Sequence, residues 1–178
     1  MNVYLIGYRG TGKTTVARLL AARIGGAAVD ADERLEARAG RSIREIFETG
    51  GEREFRELEA DVLRELSERD RQIVALGGGV VLREDNRRAL KNGRTVWLQA
   101  SAATLWERVA SDPSTDTRRP NLTTQGGPAE IEQLLAAREP LYAQCADWVV
   151  DTERRTPAEV AERIEAWLAK EGGPWTFG

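Results

Sequence analysis

Val3-Tyr4-Leu5-Ile6-Gly7-Tyr8-Arg9-Gly10-Thr11-Gly12-Lys13-Thr14 decides the architecture. Four apolar residues read as a buried strand. A glycine-rich turn follows, and helical spacing of apolar residues takes over at 14–24. Gly7 to Thr14 carries the P-loop pattern G-x-x-x-x-G-K-[ST]. Glycines let the backbone curl so that successive N–H groups face phosphate oxygens, and the helix behind them turns its positive end to the same anion. Lys13 supplies a mobile charge for the β- and γ-phosphates, and Thr14 a hydroxyl for Mg2+. In a chain of this composition the pattern arises by accident only about 0.003 times.

The lysine count sharpens that reading. Of 26 basic residues, 23 are Arg and three are Lys: Lys13, Lys91 and Lys170. A lysine inside a tight motif is therefore informative, while a single arginine is not. The chain has 178 residues, 31% of them charged and 41% hydrophobic, as expected for one folded domain over 1–170 with a disordered tail at 171–178. With no histidine, Ser–His and Cys–His catalytic pairs and His-ligated zinc are excluded. With one cysteine, Cys145, no intramolecular disulfide can form, which suits a cytoplasmic chain. A net charge of −3 offers no global basic field for nucleic acid or an anionic membrane. No apolar run reaches membrane-span length, and no basic-then-apolar leader precedes the first strand. The expectation is a monomer that acts on a small molecule.

Outward from the P-loop, short β-like runs alternate with longer helical ones. Strands are expected at 3–6, 27–29, 72–76, 95–98 and 148–150. Helices are expected at 14–24, 32–39, 42–50, 52–69, 83–91, 101–110 and 129–146, with Pro140 bending the last of these. A final helix opens on Thr156-Pro157-Ala158-Glu159, a capping box with proline in the first turn; Ser42 and Glu45 form a second box. The stretch 111–128, rich in Ser, Thr, Asp, Pro and Gly, reads as a moving lid that would exclude water from a phosphoryl transfer. Such alternation predicts an α/β domain whose mainly parallel sheet is covered on both faces.

A P-loop protein also needs a carboxylate that orders magnesium through water. Strand three ends in Leu76-Gly77, so Asp30 at the end of strand two is the candidate; capping the next helix is its other reading. No Asn-Lys-x-Asp guanine-reading segment is present, because Lys91 is followed by Asn92 and Gly93.

From residue 2 to about residue 167 the chain resembles shikimate kinases. The resemblance is carried by Gly7 to Thr15, Asp30-Ala31-Asp32, Gly40-Arg41-Ser42-Ile43-Arg44-Glu45-Ile46-Phe47 and Gly51-Glu52-Arg53-Glu54-Phe55-Arg56-Glu57-Leu58-Glu59. Leu76-Gly77-Gly78-Gly79, Arg119-Pro120, Arg138-Glu139-Pro140-Leu141-Tyr142 and Val150-Asp151-Thr152 complete it. It implies a three-layer P-loop kinase fold with sheet order 2-3-1-4-5, and ATP-dependent phosphorylation of the 3-hydroxyl of shikimate, a step of chorismate biosynthesis. ATP would sit on Gly10, Thr11, Gly12, Lys13, Thr14 and Thr15, with Mg2+ at Thr14 and, through water, Asp30. By the same resemblance Asp32 would hold the ring hydroxyls and take the proton. Arg56 and Arg138 would clamp the carboxylate, and Gly77, Gly78 and Gly79 would let backbone approach the substrate. Arg119 would reach the transferring phosphoryl group from the lid. Arg108, Arg155 and Pro157 would surround adenine.

The chemistry agrees: a carboxylate prefers planar two-pronged guanidinium, and vicinal hydroxyls suit a carboxylate acceptor. Plainer readings stand beside these. Arg56 and Arg138 lie close to glutamates and could be surface ion pairs, Asp32 could merely open a helix, and Arg108 and Arg155 could be solvated. A gluconate kinase would share the P-loop and lid but not the set of Asp32, Arg56 and three glycines. A non-catalytic sensor of the same metabolite would have no need of intact Lys13, Thr14, Asp32 and Arg119.

Overall fold

A computed structural model of the chain describes residues 1–111 and 127–172. Five strands form one sheet: β1 (Val3–Ile6), β2 (Ala27–Asp30), β3 (Gln72–Ala75), β4 (Arg94–Gln99) and β5 (Trp148–Asp151). Their order is β2-β3-β1-β4-β5, and every pair is parallel. Val3 pairs with both Ile73 and Arg94, which sets β1 at the centre. Its four residues are wholly buried, so the run is continuously apolar, as a strand covered on both faces must be.

Side-chain alternation divides β1 between two cores. Val3 and Leu5 join α1 (Lys13–Ile24) and the last helix, α7 (Pro157–Lys170), through Val16, Leu20, Ile164 and Leu168. Tyr4 and Ile6 face α3 (Ile43–Ser67), α4 (Glu84–Leu90) and α6 (Gly127–Cys145) through Phe55, Leu63, Leu90 and Tyr142. Helices α2 (Ala31–Ala39) and α5 (Ala102–Ala110) complete the described elements. No helix among the described residues is long and apolar enough to cross a membrane.

Both expected capping boxes form, at Ser42 with Glu45 and at Thr156 with Glu159. The two helices expected around Gly50 meet in α3, where Gly51 alone leaves helical geometry (φ 69°, ψ −172°). Strand β3 stops at Ala75, one residue early, although Leu76 still donates its N–H to Leu5. The glycines then run into a 3-10 turn, Val80–Leu82, that no sequence signal marks. Pro140 lies inside α6, which runs on to Cys145. Gly127 and Pro128, expected at the end of the lid, already belong to α6; residues 112–126 of that lid lie outside the described residues, as does 173–178 of the tail.

Candidate active site

The carboxyl ends of β1, β2 and β3 open on a cavity of about 440 Å3. Its floor is the P-loop. Gly7, Gly10 and Gly12 all take positive φ, and at Gly7 nothing larger fits, because a Cβ would lie 2.3 Å from the Leu98 carbonyl oxygen. Thr11 closes the loop from inside, its hydroxyl donating to the Tyr8 carbonyl at 2.8 Å. Gly12 caps α1, so the unpaired N–H groups of the first helical turn begin at Lys13. The Lys13 ammonium donates to the carbonyls of Gly7 and Tyr8, both at 2.8 Å, and is thereby held over the loop it serves.

Asp30 does two jobs. Its Oδ1 accepts from the N–H groups of Asp32 and Glu33 and caps α2, while its Oδ2 accepts the Thr14 hydroxyl at 2.5 Å. Cap and candidate magnesium partner are thus the same side chain, one oxygen for each. A hydroxyl beside a carboxylate is a hard-oxygen pair of the kind Mg2+ takes, the rest of its shell coming from water and phosphate. The cap in turn fixes Asp32 in the first turn of α2, on the cavity wall. Lys13, Thr14, Thr15, Asp30, Asp32, Gly77 and Gly78 all line this one cavity. Arg9 and Arg18 line it too, although no sequence signal sets them apart from the other arginines.

Arg56 and Arg138 do not line it. Both are buried, and Arg56 packs against Gly79 of the glycine turn. Arg56 Nη1 donates to Glu59 at 2.7 Å, a pair with both side chains buried, and its Nη2 and Nε share the exposed Glu52 at 3.1 and 3.2 Å. The same guanidinium packs so tightly on Gly79 that a Cβ there would lie 2.3–2.5 Å from it. The surface-pair reading of Arg56 is therefore wrong for Glu59 and right for Glu52. Arg138 spans the Tyr8 ring, 5.8 Å from its centroid. Burial pushes the Tyr8 phenol up, against the opposing charges of Arg9 and Arg138. Arg9 also faces Glu130, a fully buried carboxylate on α6, at 3.9 Å.

Adjoining this cavity, which Arg108 also lines, Arg108, Arg155 and Pro157 converge on a recess of about 170 Å3 backed by Gly10, Thr11 and Gly12. Arg108 is not a solvated surface group: it donates to the Thr152 hydroxyl at 3.0 Å and carbonyl at 2.6 Å. Arg155 donates to the carbonyl and carboxylate of Asp151, at 2.7 and 2.8 Å. Arg119 lies outside the described residues.

Glu59 and Tyr142 are the contributors that sequence reasoning leaves without a role. Each stands within one helical turn of a predicted arginine (Glu59 three residues after Arg56, Tyr142 four after Arg138), so helix spacing is the signal that points to them.

Comparison with known proteins points to one family. A family model described as shikimate kinase matches residues 9–169. The chain is 43% identical over 164 residues to a shikimate kinase of Rhodopirellula baltica, covering 92% of this chain and 88% of that one. It is 42% identical over 173 residues to one of Symbiobacterium thermophilum, covering 97% and 98%. Among solved structures, a shikimate kinase from Acinetobacter baumannii in complex with shikimate is similar with a TM-score of 0.89 at 34% identity, over 96% of this chain and 93% of that one.

Proposed function

Because the chain belongs to the shikimate kinase family, we propose that the cavity residues divide the transfer of a phosphoryl group from ATP to the 3-hydroxyl of shikimate as follows. The P-loop amides and Lys13 hold the β- and γ-phosphates, and the adjoining recess of Arg108, Arg155 and Pro157 takes adenine. Thr14 and Asp30 would hold Mg2+, the first directly and the second through water. When bound, the ion neutralises charge between the β- and γ-phosphates.

Shikimate enters from the Asp32 and Gly77–Gly78 side. Asp32 accepts hydrogen bonds from neighbouring ring hydroxyls and takes the proton that the 3-hydroxyl loses as its oxygen bonds to phosphorus. The bond from phosphorus to the β–γ bridging oxygen breaks, and the electron pair leaves with ADP. The substrate carboxylate goes to Arg56 and Arg138. Arg56 can meet it without losing its buried partner: the Glu59 pair stays, while the half-exposed hydrogen bonds to Glu52 are weak enough to exchange for a new carboxylate. Arg119 is assigned to the transferring phosphoryl group on the family resemblance.

The observation that carries this reading is that Lys13, Thr14, Asp30, Asp32, Gly77 and Gly78 line one cavity together. The net charge of −3 supports a small-molecule partner rather than nucleic acid, and we read the chain as a cytoplasmic monomer. A coupled ADP-release assay tests it across shikimate, quinate and gluconate, with Mg2+ present and withheld. ADP should appear with shikimate and Mg2+, and fall to background with gluconate or without the metal. Equal release with gluconate, or none with shikimate, overturns it.

A further inference from the structure

The segment Arg138-Glu139-Pro140-Leu141-Tyr142 gives Arg138 to the carboxylate clamp and leaves Tyr142, one turn further along α6, without a part in the reaction. Tyr142 is wholly buried. Its ring is set against Trp97 of β4, 5.6 Å between centroids. Its hydroxyl donates to the carbonyl of Gly78, 64 residues away in the chain, at 2.5 Å. A residue needed only to fill this space has no use for that hydroxyl, since phenylalanine packs equally well and asks for no partner.

The acceptor is a specific one. Gly78 belongs to the turn whose backbone lines the cavity beside Asp32. It is packed so closely that a Cβ would stand 3.2 Å from the Gly7 carbonyl oxygen and 3.4 Å from the Tyr142 hydroxyl. The peptide unit is planar, so holding the Gly78 carbonyl also fixes the Gly79 N–H, which points the other way. Gly79 is in turn the surface on which the Arg56 guanidinium lies.

From this juxtaposition we infer that Tyr142 is a positioning residue for the acceptor site: its hydroxyl locks the Gly78–Gly79 peptide plane, and so holds the substrate-facing turn and Arg56 in register with Arg138. The inference rests on the shikimate-phosphorylating reading above. Burial pushes the Tyr142 phenol up to about 12, so it remains a donor across the whole working range of pH.

The test is Tyr142→Phe, which removes one oxygen, with Trp97→Phe as the packing control that keeps the hydroxyl. Wild-type turnover of shikimate is measured first, since its failure would strike the kinase reading and not this one. A lost hydrogen bond to a buried carbonyl should raise the shikimate KM of Tyr142→Phe about tenfold. The ATP KM should stay within about twofold, and Trp97→Phe should leave the shikimate KM near wild type. The inference is overturned if the shikimate KM of Tyr142→Phe is unchanged, if both KM values rise together, or if Trp97→Phe raises the shikimate KM as much.

Discussion

A methyl group on Gly79 would collide first with the end of one side chain, the Arg56 guanidinium. Gly79 has φ −96° and ψ 0°, a negative-φ bridge conformation that is open to alanine though sparsely populated. Gly79→Ala should therefore displace the clamp and, because the guanidinium that must move is paired with buried Glu59, also lower the melting temperature. We expect the shikimate KM to rise roughly tenfold, the effect of one misplaced charged hydrogen bond, with the ATP KM unmoved. Steady-state kinetics in both substrates decides it, and a fall in melting temperature with unchanged KM would refute the link between Gly79 and Arg56. Legibility at this scale depends on contiguity. The P-loop can be read from the sequence because its parts are neighbours in the chain. The Arg56–Glu59 pair cannot, because Glu52, Arg53, Glu57 and Glu59 crowd the same helix and offer several pairings at three and four residues. Burial chooses among them: Arg53 pairs with Glu57 in solvent, while Arg56 and Glu59 go inside.

The elements place those residues, and α3 shows how. Its first part is started by the Ser42 capping box, and its second carries Arg56 and Glu59 into the core. Between them Gly51, at φ 69° and ψ −172°, occupies a region of backbone space that is essentially glycine's alone. Nothing lies within 4 Å of where its Cβ would be, so the constraint is conformational and not steric. Gly51→Ala should cost about 1–3 kcal/mol of stability. For a chain of this size that is a fall of roughly 2–12 °C in melting temperature, readable by circular dichroism. An unchanged melting temperature would mean that the joint relaxes into continuous helix. Helix starts are legible here because capping is local: Ser42 with Glu45 and Thr156 with Glu159 each lie within four residues. The 3-10 turn Val80–Leu82 is not, because Val80-Val81-Leu82 carries no cap and no period, and Val80 and Val81 are buried where the turn packs against α3, α4 and α6.

At the scale of the molecule, strand order and site assembly both depend on long-range pairing. Alternating strands and helices predict a parallel sheet, but β1 lies between β3 and β4 through registers such as Val3 with Ile73 and Arg94, which no local pattern encodes; only the family resemblance supplied that order. The same holds for Tyr142 reaching Gly78, and for Glu153, which ties the loop after β5 back to the start of α5. Glu153 accepts the Thr104 hydroxyl at 2.6 Å and also the Ser101 N–H, and these hydrogen bonds, the Thr104 one foremost, hold its carboxyl down to about 2. Arg83, bonded to Asp85 at 2.6 and 3.0 Å, holds that carboxyl at about 2 as well. In an unfolded chain these groups titrate near about 4.3 and 3.9. Folded values below unfolded ones mean stability that is complete above about pH 5 and lost progressively as pH falls toward 2. Tyr142 has the opposite sign: burial holds its folded value near 12, above the unfolded value of about 10, so its contribution is whole below pH 10 and lost on approach to 12. Stability against urea should therefore be flat between about pH 5 and 10 as far as these three groups decide it. Glu153→Gln should shallow the acid limb, because an amide does not titrate, and leave the alkaline limb as in wild type. Unfolding curves of both proteins from pH 2 to 12 measure this directly; an acid limb of equal slope in the variant would show that Glu153 carries no linkage across the β5–α5 junction.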